Sequence, residues 1–126
     1  MTDRSGSSVY FRGGVIAYAD RIKVEMLGVE RDVLADNGAV SEPVAVAMAR
    51  GVAEHLDTDV GVGITGIAGP GGGTPEKPVG TVWFAVSHQG RIRASHKVFI
   101  GDREAVRERS SQATLHLLYQ MLAGDL

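Results

Sequence analysis

Cysteine is absent from this sequence of 126 residues. Its absence excludes disulfide bonds, thiolate metal sites and thiol nucleophiles together. The sequence also lacks an apolar run of about 18 residues, which a membrane-spanning helix needs. Residues 1–6 lack the apolar segment of a secretory signal. The last two absences predict a cytoplasmic protein that makes no contact with a membrane.

An excess of charge of one sign is also lacking, because 13 basic and 15 acidic side chains leave a formal net charge of −2. This balance gives no electrostatic footprint for nucleic acid. The four histidines do not follow a metal-binding spacing such as H-E-x-x-H. The sequence therefore predicts no metal and no other cofactor. His96 lies on the apolar face of a predicted strand, where we expect a core residue.

The sequence is rich in apolar residues, which make up 44% of it and suffice at this length for one domain with a substantial core. Helical and strand periodicities alternate along the chain. Asp20, Ser41 and Asp102 are predicted as helix N-caps. The predicted elements are a strand at 15–18, helices at about 20–27, 30–36 and 42–56, strands at about 60–65, 79–87 and 92–100, and a final helix after 102.

The run at 79–87 is almost continuously apolar, which indicates a strand that is covered on both faces. Together with the alternation of helices and strands, it predicts an α/β protein with three α/β/α layers. We expect one domain over residues 1–126, with a small mixed sheet of about four strands. Residues 1–8 are polar and are predicted to form a loose arm.

A glycine-rich loop between two apolar runs is the most distinctive segment. Gly61, Gly63 and Gly66 match the G-x-G-x-x-G spacing of dinucleotide sites, in which a helix must start. A helix start is disfavoured here because residues 69–73 read Gly-Pro-Gly-Gly-Gly. Two interpretations remain open: a loop that offers backbone N–H groups to a ligand, and a flexible loop without one.

Tyr18 and Lys23 follow the first predicted strand, with Lys23 about one turn into the next helix. This spacing can bring an ammonium near a phenol at the carboxyl end of a strand, where open α/β sheets bind ligands. A lysine in such a cleft can act as a base. The alternative is a surface lysine beside a half-buried tyrosine.

Arg103 and Arg107 stand four residues apart at the start of the last helix, so they share one helix face. Guanidinium groups near a helix N-terminus suit a phosphate. The alternative is a solvated face on which Glu104 and Glu108 are the partners.

The sequence resembles the C-terminal domain of CinA, the nicotinamide-nucleotide amidase family, over about residues 6–122. The pieces Gly-Ile-Ala-Gly-Pro and Lys-Pro-Val-Gly-Thr-Val are together specific. The matching stretches are residues 6–8, 14–18, 26–29, 38–44, 65–72, 77–84 and 101–107.

The resemblance implies hydrolysis of nicotinamide mononucleotide to nicotinic acid mononucleotide and ammonia, without a metal. In the family a serine attacks the carboxamide, helped by a tyrosine and a lysine at the positions of Tyr18 and Lys23. The resemblance also implies that an arginine holds the phosphate, Arg103 ahead of Arg107, and that the protein is at least a dimer. The substrate-binding loop residues are then Gly66, Ala68, Gly69, Gly71 and Gly72.

The sequence departs from the family in lacking the motif Ala-Glu-Ser-Cys-Thr-Gly-Gly, which carries the nucleophilic serine in a preceding segment. Ser7 and Ser8 match another family position and are not assigned as nucleophiles. We therefore expect a domain truncated at its N-terminus. It is an amidase whose first part is lost or supplied elsewhere, or a noncatalytic remnant that binds a nucleotide or a subunit. A nucleotide-binding regulatory module is a weaker third possibility.

Overall fold

The computed structural model describes residues 1–124, which form one short 3-10 helix, four α-helices and three strands. The 3-10 helix at Ser7–Val9 overlaps the end of the segment predicted as a loose arm. The remaining elements are α1 (Asp20–Leu27), α2 (Arg31–Asn37), α3 (Glu42–Leu56), β1 (Val60–Gly66), β2 (Thr81–His88), β3 (Arg91–Val98) and α4 (Arg103–Ala123).

The three strands form one antiparallel sheet in the order β1-β2-β3. Gln89 and Gly90 form the two-residue turn of the β2–β3 hairpin. Both residues have positive φ, because a two-residue turn needs this backbone conformation to match the twist of the strands. Across the sheet, Trp83 pairs with Thr65 on one side and with His96 on the other. The predicted mixed sheet of about four strands is therefore corrected to three antiparallel strands.

Helices cover both faces of this sheet, which confirms the three-layer α/β/α architecture. On one face, Val82, Phe84 and Val86 of β2 form a core cluster with residues of α4. On the other face, Ala85 packs against Ala45 and Ala49 of α3. Because successive strand residues point to opposite faces, the continuous apolar pattern of β2 serves both layers.

Gly61 and Gly63 allow β1 to approach α3 closely. A Cβ at Gly61 would lie 2.0 Å from the carbonyl oxygen of Ala49, and a Cβ at Gly63 would lie 2.5 Å from that of Ala45. Two glycines of the G-x-G-x-x-G pattern thus serve helix–sheet packing, and no helix begins after Gly66.

The predicted strand at Val15–Tyr18 is not part of the sheet. Residues 11–18 nevertheless alternate strictly between half-buried and exposed side chains, as in a half-covered strand. Val15 and Ala17 pack against the cluster around α3, whereas Ile16 is 93% exposed. No backbone group of residues 12–18 pairs with another backbone group of the described chain. The sequence pattern correctly predicts that this segment has one covered side and one exposed side. It does not reveal that no strand pairs with the segment in the described chain.

Of the three predicted N-caps, only Asp102 caps its helix with its side chain. The Asp102 carboxylate accepts a hydrogen bond from the N–H of Ala105 at 2.9 Å, which confirms the predicted cap of α4. Asp20 is instead the first residue of α1, after Ala19, and makes no cap. Ser41 precedes α3 as predicted, but its hydroxyl donates to the carbonyl of Gly38.

His96 is exposed, and its ring stacks on that of Trp83 with centroids 4.3 Å apart. The expectation that His96 is a core residue is therefore wrong. β3 is an edge strand and has no strand on its outer side in the described chain, so its apolar pattern is only partly covered.

Candidate functional site

Lys23 is buried in α1, with only 6% of its surface exposed. Its Nζ donates to the carbonyl of Ala17 at 2.9 Å and to Oδ1 of Asp20 at 3.3 Å. A buried ammonium needs such acceptors, because an unpaired one carries a large desolvation cost. Lys23 is thus held in one place and ties the helix to the extended segment at residues 11–18. The alternative of a surface lysine is wrong.

Tyr18 follows Ala17 directly, so the bond from Lys23 fixes the backbone beside it. Its side chain is 87% exposed, and no hydrogen bond joins its phenol to Lys23. The alternative to a functional pair was a surface lysine beside a half-buried tyrosine, and its expectation for Tyr18 is therefore also wrong. The structure therefore presents an exposed phenol next to a buried ammonium rather than a hydrogen-bonded pair.

The glycine loop spans residues 67–80 between β1 and β2, and hydrogen bonds close its base. The N–H of Ile67 donates to Thr81 at 2.9 Å, and the N–H of Gly80 donates to Ile67 at 2.7 Å. Gly80 has φ +96, and a Cβ there would lie 2.0 Å from the carbonyl oxygen of Phe99. These contacts favour an ordered loop over a flexible one.

Arg103 attaches this loop to α4. Its Nη1 donates to the carbonyl of Gly69 at 3.0 Å, across 34 residues of sequence. Gly69 has positive φ and precedes Pro70 in a cis peptide bond. One N–H of the guanidinium is thus engaged by the loop itself, which sequence reasoning did not foresee.

Arg107 lies one turn further along α4 and lines a cleft of about 570 Å³ between α4 and the end of β1. Its guanidinium has no hydrogen bond or ion pair within residues 1–124, and neither Glu104 nor Glu108 pairs with it. Apolar groups form much of the wall. The lining residues are Ile64, Gly66, Ala68, Val82, Glu104, Val106, Arg107, Glu108, Ser110 and Ser111.

This cleft, which we call the β1–α4 cleft, brings together only part of the predicted site. Gly66, Ala68 and Arg107 line it, whereas Gly69, Gly71, Gly72 and Arg103 do not. Tyr18 and Lys23 also lie outside it. Lys23 belongs to α1, which packs on α3, whereas the cleft lies against α4 on the opposite face of the sheet.

A second cleft, of about 350 Å³, lies between α1 and α2. Asp20 connects it to the Lys23 region, because its carboxylate accepts from Lys23 Nζ. Arg21 and Arg31 also line this cleft, and sequence reasoning had singled out neither, since they belong to ordinary charged helix surfaces. In residues 1–124 there is no group of three or more metal-ligand side chains, and no helix is long and apolar enough to cross a bilayer.

Comparisons with known proteins show the family to which the chain belongs. A family model, described as the CinA C-terminal domain, matches residues 1–122. The CinA-like protein of Mycobacterium sp. (strain MCS) is 55% identical over 123 residues, which are 97% of this chain and 29% of that protein. The CinA-like protein of Gemmatimonas aurantiaca is 52% identical over 125 residues, 99% of this chain and 29% of that protein. The chain thus spans less than a third of these curated relatives.

Solved structures of relatives have the same fold. The competence-damaged protein (CinA) superfamily protein from Escherichia coli matches with a TM-score of 0.90 and 35% identity, over 94% of this chain and 69% of that one. The competence/damage inducible protein CihA from Agrobacterium tumefaciens also matches with a TM-score of 0.90 and 35% identity, over 94% of this chain and 73% of that one.

Proposed function

The chain belongs to the family of the CinA C-terminal domain, and on that basis we propose that it binds nicotinamide mononucleotide. We propose further that it supplies Tyr18 and Lys23 for hydrolysis of the carboxamide to nicotinic acid mononucleotide and ammonia, in the cytoplasm. The observation that carries this proposal is the buried ammonium of Lys23, fixed beside the exposed phenol of Tyr18.

In this reaction a hydroxyl attacks the carboxamide carbon, the C–N bond breaks, and the departing nitrogen takes a proton to leave as ammonia. Water then releases the acid. Lys23 and Tyr18 both carry exchangeable protons, which suits them to the transfers between nucleophile and leaving group. The bonds from Lys23 to Ala17 and Asp20 hold its Nζ in place, which preorganises the ammonium for that role.

The nucleophile is the missing part of this site. The chain contains no cysteine and hence no Ala-Glu-Ser-Cys-Thr-Gly-Gly motif. An acyl transfer that lacks its nucleophile loses most of its rate. We therefore expect residues 1–126 alone to release little or no ammonia from nicotinamide mononucleotide. Ammonia release by the purified chain tests this. Robust turnover that is lost in Lys23→Ala would contradict it and indicate a substitute nucleophile.

For a nucleotide bound in the β1–α4 cleft, on the face of the sheet away from Lys23, we propose Arg107 in preference to Arg103 as the phosphate ligand. The guanidinium of Arg103 already donates to the carbonyl of Gly69, whereas that of Arg107 is unpaired within residues 1–124 and lines the β1–α4 cleft. A guanidinium without a protein partner can give a bidentate pair to a phosphate. The glycine loop would add backbone N–H donors, with Gly66 and Ala68 nearest to the cleft.

A noncatalytic remnant that binds a nucleotide or a subunit is the second candidate. It is favoured by the location of Tyr18 and Lys23 outside the β1–α4 cleft. Saturation transfer from protein to ligand by NMR separates the two candidates. If the nicotinamide ring contacts the Tyr18 side of the protein, Tyr18→Ala reduces the ring signals. If the nucleotide lies only in the β1–α4 cleft, Tyr18→Ala leaves them unchanged, which supports the noncatalytic candidate.

We also propose that the chain is at least a dimer. The outer edge of β1 and the extended residues 11–18 carry backbone groups without partners in the described chain. Exposed strand edges are templates for pairing, and the 93% exposed Ile16 adds apolar surface beside them.

A further inference from the structure

Lys77, in the far half of the glycine loop, makes a side-chain contact that spans 40 residues of sequence. Its Nζ donates to the carbonyl of Asn37, the last residue of α2, at 2.7 Å. Its backbone closes a tight turn with Thr74: the N–H of Thr74 donates to Lys77 at 2.9 Å, and the N–H of Lys77 donates to Thr74 Oγ1 at 3.0 Å. The side chain and the turn that carries it therefore form one unit.

The segment that receives Lys77 is the linker between α2 and α3, residues 37–41. Its next two carbonyls also accept hydrogen bonds from side chains, one within the linker and one on β1. Ser41 Oγ donates to Gly38 at 2.8 Å, and Thr65 Oγ1 of β1 donates to Ala39 at 2.8 Å. Three consecutive carbonyls thus accept hydrogen bonds from the glycine loop, from Ser41 within the linker and from β1.

The fit around Lys77 is close. Gly38 has φ +77, and a Cβ at this position would lie 3.2 Å from the Lys77 Nζ. Ser41 closes the linker on itself, and Thr65 attaches it to β1 independently of Lys77. The linker is therefore a rigid support rather than a second mobile segment. A loop that is attached to a rigid support loses conformational freedom.

We propose that Lys77 is a positioning residue, which fixes the far half of the glycine loop to the α2–α3 linker. Arg103 of α4 fixes the near half at Gly69. The loop is therefore attached through two cationic side chains, by Lys77 to the α2–α3 linker and by Arg103 to α4. This arrangement presets the backbone N–H groups of residues 71–73 before a ligand arrives, which reduces the entropic cost of binding. The consequence for nucleotide binding rests on the proposed function; the anchoring itself does not.

Amide hydrogen exchange of the free protein, followed residue by residue by NMR, tests the anchoring. Lys77→Met removes the donor and keeps a long apolar chain, and Lys97→Met is the matched control, because Lys97 is exposed on β3 and has no side-chain partner in the described chain. We expect exchange at the Thr74 amide to accelerate about tenfold in Lys77→Met. Exchange at Gly80, in the base of the loop, should stay unchanged, as should all amides in Lys97→Met.

Acceleration at Thr74 of less than about twofold would overturn the proposal. So would an equal acceleration at Thr74 and Gly80, because that pattern indicates loss of global stability and not loosening of one half of the loop.

Titration with nicotinamide mononucleotide tests the consequence. We expect Lys77→Met to weaken binding about fivefold to tenfold and Lys97→Met to leave it unchanged. If Lys77→Met binds as tightly as the wild type, the preset loop does not serve this ligand, and the positioning role for it is refuted. If the wild type itself does not bind, the proposed function fails, and the exchange at Thr74 alone then decides whether Lys77 anchors the loop.

Discussion

Replacing Gly61 by alanine tests whether the glycines of β1 serve packing or a ligand. The new Cβ would lie 2.0 Å from the carbonyl oxygen of Ala49 and 2.8 Å from the Cβ of Ala53. Backbone atoms cannot move aside as the end of a side chain can, so β1 and α3 must separate by more than an ångström. Overpacking of this kind costs about 1–3 kcal/mol, and a backbone clash belongs at the upper end.

Gly71→Ala is the matched control. A Cβ at Gly71 meets nothing within 4 Å, and its φ is not in the left-handed region. Alanine restricts the unfolded chain similarly at both positions, a gain of about 0.4–1 kcal/mol, so the difference between the two variants isolates the contact with α3.

We therefore expect Gly61→Ala to be about 2–3 kcal/mol less stable than Gly71→Ala in urea unfolding. For a domain of this size the thermal midpoint should differ by about 6–12 °C. A difference below about 0.5 kcal/mol would refute the packing role of Gly61 and reopen the dinucleotide interpretation of the G-x-G-x-x-G pattern.

Three further outcomes follow from the contacts. Lys23→Met should lower the free energy of unfolding by about 1–3 kcal/mol in urea titrations, because the Ala17 carbonyl loses its donor; an unchanged midpoint would show that this bond contributes nothing. Arg103→Met should cost about 1 kcal/mol through the freed carbonyl of Gly69, whereas Arg107→Met, which removes no bond within residues 1–124, should stay within about 0.5 kcal/mol. Light scattering at micromolar concentration should give at least a dimer, and a stable monomer would refute the role assigned to the unpaired strand edges.

Local sequence patterns predict those features of the fold that depend on the residues of one helix or strand. The cap at Asp102 and the two-sided burial of β2 both depend on residues close in sequence. The three-layer arrangement follows from them, because a strand that is apolar on both sides needs a helix on each face.

The errors arise where the outcome depends on contacts between distant segments. The alternation at residues 11–18 is real, but a strand also needs a neighbour, which the described chain does not provide. Asp20 has the chemistry of an N-cap, yet its carboxylate is used by Lys23. The apolar pattern around His96 is that of a strand, but the position of β3 at the sheet edge leaves its ring exposed.

The residues of the candidate site also divide into those that local sequence singles out and those that depend on contacts between distant segments. Lys23, which the sequence singles out by its spacing from Tyr18, is buried. The bonds of Arg103 to Gly69 and of Lys77 to Asn37 join residues 34 and 40 positions apart and leave no periodic signal in the sequence. The match of residues 77–84 to the family is the only signal that could have drawn attention to Lys77.

Calorimetric titration of the purified chain with nicotinamide mononucleotide and with its dephosphorylated nucleoside tests the central claim most directly. We expect the mononucleotide to bind at least about tenfold more tightly than the nucleoside, because only the mononucleotide can pair with the guanidinium of Arg107. Arg107→Met should remove that difference. Equal affinity for the two compounds, or no binding of the mononucleotide at all, would contradict the claim that this chain is a nicotinamide-nucleotide-binding domain.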